Sequence, residues 1–284
     1  MAKAKIGIQM MIFRDLIAKE GVYDVMKKIS NIGFSCVEVS QVDMNEKNVA
    51  DLKKACEDFG IEIAALSAGI EPMMPGMESL STHFEKIVAD CKTLNCNYVR
   101  VGMLPFNYIG SLEKSLEFTK KCDAMAEKLA EHDIQLYYHN HHIEFIKYDG
   151  SYLLDIIRDN TKKLGFELDV HWIQRGGENP VEYIKKFKGK LELLHLKDYK
   201  IIEPNFADLD PRDMAKFLQA FNDVIRFAEI GEGSLDFPAI IEAGLETGAK
   251  YLLIEQDDTY GKDPFECLAL SRANLIKMGY ENML

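Results

Sequence analysis

Between His139 and Glu144 the chain carries three imidazoles (His139, His141, His142), an amide (Asn140) and a carboxylate, directly after the strand-like approach Gln135 to Tyr138. Packing does not account for so many metal- and proton-binding groups in one short stretch. Three later stretches share the form of an apolar run ending in charge: Leu164 to Trp172 (LGFELDVHW), Leu191 to Asp198 (LELLHLKD) and Tyr251 to Asp258 (YLLIEQDD). Together the four stretches offer Glu144, Asp169, His195 and Glu255. Three carboxylates and one imidazole make a mostly oxygen site, suited to a hard or borderline divalent ion, Mn²⁺ first, with Mg²⁺, Co²⁺ and Zn²⁺ as alternatives. A structural zinc site would draw on cysteine, and none lies near these strand ends.

The spacing of these residues is that of a repeating fold. Glu144 to Asp169 is 25 residues, Asp169 to His195 is 26 and His195 to Glu255 is 60. One strand–helix–strand unit takes about 30 residues, so the last interval holds an enlarged connection. The rest of the chain repeats the unit. Strands are predicted at Lys5–Met10, Cys36–Ser40, Ile61–Leu66, Tyr98–Gly102, Ile134–Tyr138, Gly165–Val170, Glu192–Leu196 and Tyr251–Gln256. Helices are predicted from Ile17 to Asn31 and from Asn45 or Asn48 to Phe59, each stopped by a glycine, Gly33 or Gly60. Others follow over Leu80–Leu94, Ser111–His132, from Pro180, and over Pro211–Asp223, Pro238–Gly248 and Pro264–Met278. Alternating β and α elements imply a parallel sheet. Eight units in 284 residues predict one α/β domain over 1–284, a closed (β/α)8 TIM barrel. An open doubly wound sheet is the rival, weakened because no G-x-G-x-x-G follows a strand. In a barrel the strand ends share one mouth, where polar residues that close apolar runs can meet.

Strand five sets its own test. If its pleat ran on regularly from Tyr137, His139 and His141 would share one face and Glu144 the other. Glu144 reaches a common site only if the chain leaves the strand near His141; otherwise His139 or His141 is the nearest substitute ligand.

Bulk properties narrow the partners. The net charge is −12, which repels a phosphate backbone and disfavours nucleic acid and anionic membranes. No apolar run approaches the roughly 20 residues of a membrane helix, and no secretory signal pattern opens the chain. The expectation is a cytoplasmic protein acting on a small molecule. Six cysteines without CxxC spacing are expected to be reduced and mostly buried.

The stretches His139 to Phe145 (HNHHIEF), Glu167 to Trp172 (ELDVHW), His195 to Asp198 (HLKD) and Gly231-Glu232-Gly233, with Glu255, resemble the xylose-isomerase-like sugar isomerases and epimerases. That family includes ketose 3-epimerases and inosose dehydratase. The resemblance spans nearly the whole chain. It implies a divalent metal held by Glu144, Asp169, His195 and Glu255, with Glu144 and Glu255 as the acid and base. It further implies that Glu38, His141, His171, Trp172 and Lys197 orient or cover a sugar or keto-sugar, and that the protein pairs as a homo-oligomer. Here His171 lies two residues after Asp169, where the family tends to place a substrate histidine three on.

The chemistry expected is proton removal from a carbon beside a carbonyl, through an enediolate stabilised by positive charge. A dehydratase would use the same first step and then expel a hydroxyl. A metal-dependent nuclease would need a basic groove, which the charge opposes. A non-catalytic sugar-binding barrel would use the carboxylates only as hydrogen-bond acceptors. Plainer readings stand beside these: Glu38, Lys197 and Asp198 as solvated or helix-capping residues at strand ends, Trp172 as a packing residue, and Glu229 and Glu232 as partners of lysines or turn amides.

Overall fold

Eight strands run parallel and close on one another in the computed structural model, which describes residues 4–72, 74, 76–207, 209–210 and 212–284. They are β1 (Lys5–Gln9), β2 (Cys36–Val39), β3 (Glu62–Ser67), β4 (Tyr98–Val101), β5 (Gln135–His139), β6 (Gly165–Asp169), β7 (Leu191–Leu196) and β8 (Tyr251–Ile254). Each pairs with its sequence neighbours, and β8 pairs with β1 to complete the (β/α)8 barrel. Side chains alternate across such a strand. Ile6, Ile8, Val37, Leu136, Tyr138, Leu168, Leu194 and Leu252 point outward into the main apolar core beneath the helices. Tyr137 and Leu193 join a separate cluster.

Most of the expected elements are present, displaced by a few residues. The first expected helix is two, Arg14–Glu20 and Val22–Ile32, because Gly21 takes φ 89° between them. Asn45 caps Glu46–Phe59 through the Asn48 amide at 3.0 Å. The helix expected from Leu80 begins at Phe84. The start expected at Pro211 lies outside the described residues; the helix there spans Met214–Asn222. Elements not read from the sequence include the helices Leu153–Asp159 and Val170–Arg175, a short hairpin of Lys147–Tyr148 with Ser151–Tyr152, and an antiparallel hairpin of Asp198–Ile201 with Ile225–Ala228 inside the long seventh connection. No helix of the described residues is long and apolar enough to cross a membrane. All six cysteines are free, five of them buried.

That hairpin explains the glycine pair. The Asp198 carboxylate accepts the backbone N–H groups of Tyr199, Gly231, Gly233, Ser234 and Leu235 at 2.8–3.3 Å. A Cβ on Gly233 would stand 2.2 Å from Asp198 Oδ1, so only glycine lets the turn wrap the carboxylate. Asp198 is thus a buried anchor rather than a solvated strand end. Glu229 pairs with Lys262 at 2.8 Å, the plain role expected of it, while Glu232 accepts instead from the Asn274 side-chain amide of the last helix.

The N-terminal end of the barrel is plugged. Tyr98 packs edge-on against Tyr137 and Tyr251, at 5.2 and 5.8 Å between ring centres. Tyr98 donates to Glu192, Tyr137 to Gln135 and Tyr251 to Glu62, while Lys250 and Lys5 pair with the two glutamates.

Candidate active site

At the opposite end the same strands deliver unlike chemistry. His139 and Asp169 are the last residues of β5 and β6, His195 is the next-to-last of β7, and Glu255 directly follows β8. Their buried ligand atoms all lie within 4.8 Å of one another. His195 Nδ1 is 3.0 Å from Glu255 Oε2, and His139 Nε2 is 3.5 Å from Asp169 Oδ2 and 3.9 Å from Glu255 Oε2. His139 Nδ1 meets the Gly102 carbonyl at 3.0 Å, which leaves Nε2 with its lone pair facing the cluster. Asp169 is oriented from behind: Oδ1 accepts the His171 and Trp172 amides, and the Asp169 N–H donates to Asn140 Oδ1. Gln9 Nε2 donates to Glu255 at 2.8 Å.

Lys197 completes the upper layer. Its ammonium is 2.8 Å from Glu255 Oε2, 2.8 Å from Asp257 Oδ1 and 3.4 Å from Asp169 Oδ2. Burial opposes charge throughout this cluster, and the outcome depends on each neighbour. Lys197 and His195 overcome burial to hold Glu255 well below the usual carboxylate range. Burial carries Asp169 upward against the pull of Lys197. The carboxylates of Glu167, Glu255 and Glu38 overcome burial at His195 and favour its charged form. His139, by contrast, is kept neutral by burial and by the charge of His195.

Glu144 is not brought into this cluster. The chain leaves the strand after His139, but a single 3₁₀ turn, His142–Phe145, carries the Glu144 side chain outward. There its carboxylate accepts the Tyr138 hydroxyl and the His141 amide. Tyr138 faces the helices because it neighbours the inward His139 in the pleat. His139, one of the two substitutes considered, takes the strand-five place. Burial pushes the Glu144 carboxyl up to about 7.

The expected sugar-contacting residues divide. His141, His171 and Trp172 line the rim: Trp172 packs at 5.3 Å on His141 and 4.7 Å on His171, with the Lys197 ammonium 4.9 Å from its ring. Burial lowers His141 to about 3 and His171 to about 4, so both are neutral. Glu38 instead lies beneath the cluster, 2.8 Å from Arg100 and 3.2 Å from His195 Nε2. Glu167 joins it there, 3.2 Å from the same nitrogen. The sequence reading missed Glu167 and Arg100 as part of this assembly. Their signal was available: a charged residue inside a buried strand, two positions from another inward residue.

Comparison with known proteins fits this architecture. A model of the xylose isomerase-like TIM barrel family matches residues 26–274. The chain belongs to that family. No curated protein sequence gives a significant match. Among solved structures, a sugar phosphate isomerase/epimerase from Parabacteroides distasonis is similar with 21% identity and a TM-score of 0.75, over 96% of this chain and 98% of that one. A 3-keto-D-glucoside 4-epimerase from E. coli has 17% identity and a TM-score of 0.68, over 97% and 100%. A probable 3-DHS dehydratase from Bacillus anthracis has 14% and 0.65, over 96% and 98%. At these identities the likeness speaks for the fold.

Proposed function

We propose that the protein is a divalent-metal-dependent sugar isomerase or epimerase that moves a proton on a carbon next to a carbonyl. The observation that carries this reading is the set His139, Asp169, His195 and Glu255, four buried ligand groups from successive strand ends converging within 4.8 Å. His139 Nε2 and Asp169 Oδ2 make no hydrogen bond although both are buried. Orphaned buried groups are costly, so their pairing at one point fits a cation. With His139 in place of Glu144 the donors are two imidazoles and two carboxylates, which moves the preference from Mg²⁺ toward Mn²⁺, Co²⁺ or Zn²⁺.

An ion held there supplies positive charge beside the substrate carbonyl and its neighbouring hydroxyl, where negative charge develops. The chain's own groups do the rest. Glu255, the ionised carboxylate 2.8 Å from Lys197, is the group placed to take the proton and, as the acid, to return it. His141, neutral and with its ring centre 4.9 Å from that of His139, stands on the strand-five side, where it can hydrogen-bond a substrate hydroxyl. Trp172 and His171 cover the ring and exclude water. Arg100 and Lys197 are both consumed by carboxylates, so an unphosphorylated sugar or keto-sugar suits the site better than a sugar phosphate.

The test is a screen of ketoses, inososes and keto-glycosides with Mn²⁺ in D₂O. Deuterium entering at the carbon next to the carbonyl, with an isomer or epimer as product, supports the reading. Deuterium entry with loss of water from the substrate identifies a dehydratase on the same first step. Sugar binding without exchange leaves a binding barrel.

A further inference from the structure

Beneath the proposed metal ligands lies a second, buried charged layer. Glu38 and Glu167 are fully buried, and one carboxylate oxygen of each is 3.2 Å from His195 Nε2. Arg100 holds the pair from below, its Nε 2.8 Å from Glu38 Oε1 and 3.5 Å from Glu167 Oε2, with Nη2 donating to Ser40 at 3.0 Å. A Cβ on Gly102 would stand 2.9 Å from Arg100 Nη1, so that glycine leaves the guanidinium its room. Three strands, β2, β4 and β6, each spend a buried position on this layer.

We infer that Glu38 and Glu167, braced by Arg100, are positioning residues: Glu38 accepts the Nε2–H of His195, Glu167 adds its charge 3.2 Å from the same nitrogen, and together they fix Nδ1 as the nitrogen offered to the site. The inference rests on the metal reading above. A ligand imidazole donates its second nitrogen to an outer partner, which sets its tautomer and ring angle and raises its basicity. His139 uses a backbone carbonyl for this purpose, whereas the Nε2 of His195 faces the carboxylates of Glu38 and Glu167. Glu38, Glu167 and His195 also lie close enough to be read as a second cation site. The guanidinium already fills that role, since it supplies the countercharge as an ion pair 2.8 Å from Glu38.

Two measurements test this. In ¹⁵N-histidine-labelled wild-type protein loaded with Zn²⁺, two-bond proton–nitrogen correlations are expected to show His195 protonated at Nε2 and unprotonated at Nδ1. In competition with a chelator, the double variant Glu38→Gln/Glu167→Gln is expected to bind Zn²⁺ and Mn²⁺ about 10–100-fold more weakly, while Glu192→Gln in the lower plug binds as wild type does. A proton on Nδ1 in the loaded protein, unchanged affinity in the double variant, or a second ion per chain would overturn the inference while leaving the metal site standing. Wild-type protein that binds no ion would overturn both. If the double variant does not fold, the tautomer of the wild-type protein still decides.

Discussion

The two ends of this barrel are built from the same strands and are both polar, yet only one is complete in itself. At the lower end every tyrosine hydroxyl finds an acceptor, and Glu62 and Glu192 each have a lysine. At the upper end carboxylates and imidazoles are crowded together with lone pairs unspent, among them His139 Nε2 and Asp169 Oδ2. A folded chain tolerates such a concentration of unmet groups where a ligand meets them. The lower arrangement satisfies its own polar groups; the upper one leaves buried groups unmet, as the proposed metal site requires.

The contrast breaks if substitutions at the two ends behave alike. Glu255→Gln is expected to slow deuterium exchange into substrate by about 10²–10⁴-fold, whereas Glu192→Gln in the plug leaves that rate unchanged; rates measured with Mn²⁺-loaded protein decide. Asp198→Ala comes next, acting through the fold. It strands several turn amides at once, and a loss of about 3 kcal/mol or more in urea unfolding is expected.

Glu144 sharpens the comparison because it is buried and ionisable but belongs to neither end. Its carboxyl titrates near 4.5 in the unfolded chain and is pushed up to about 7 by burial in the folded one. Below pH 4.5 both states hold the proton. Between about 4.5 and 7 the unfolded chain ionises first, so stability falls as pH rises, and the full loss persists above 7. Glu144→Gln should remove that fall, since the amide can still donate to Tyr138 and accept from His141. An unchanged pH profile of unfolding would show that the carboxyl is not held as described. The smallest effect is expected at Tyr98→Phe, which gives up the hydrogen bond to Glu192 and the one accepted from exposed Lys250 for about 1 kcal/mol, with metal affinity unaltered.

Much of this was legible beforehand because strand ends announce themselves. An apolar run closing on Asp169, on His195 or on Glu255 places its charge at the mouth once the barrel is granted. Pleat parity goes further: with Asp169 inward, Glu167 must be inward too, and with Tyr137 inward, so must His139. Glu144 could not be placed that way. Its position depends on whether the residues after His139 turn toward the mouth or back over Tyr138, which a one-turn 3₁₀ segment decides and residue spacing does not. The anchoring role of Asp198 was hidden for a different reason, as most of its partners lie 33–37 residues away in a turn whose register only the folded hairpin sets.

The most direct measurement is a titration of Mn²⁺ into metal-free protein, followed by the electron paramagnetic resonance signal of the free ion. One ion per chain in the wild type, with binding lost in Asp169→Asn and His139→Ala but kept in Glu144→Gln, is the predicted result. Binding that survives Asp169→Asn and His139→Ala, or that disappears with Glu144→Gln while the fold is intact, would contradict the account.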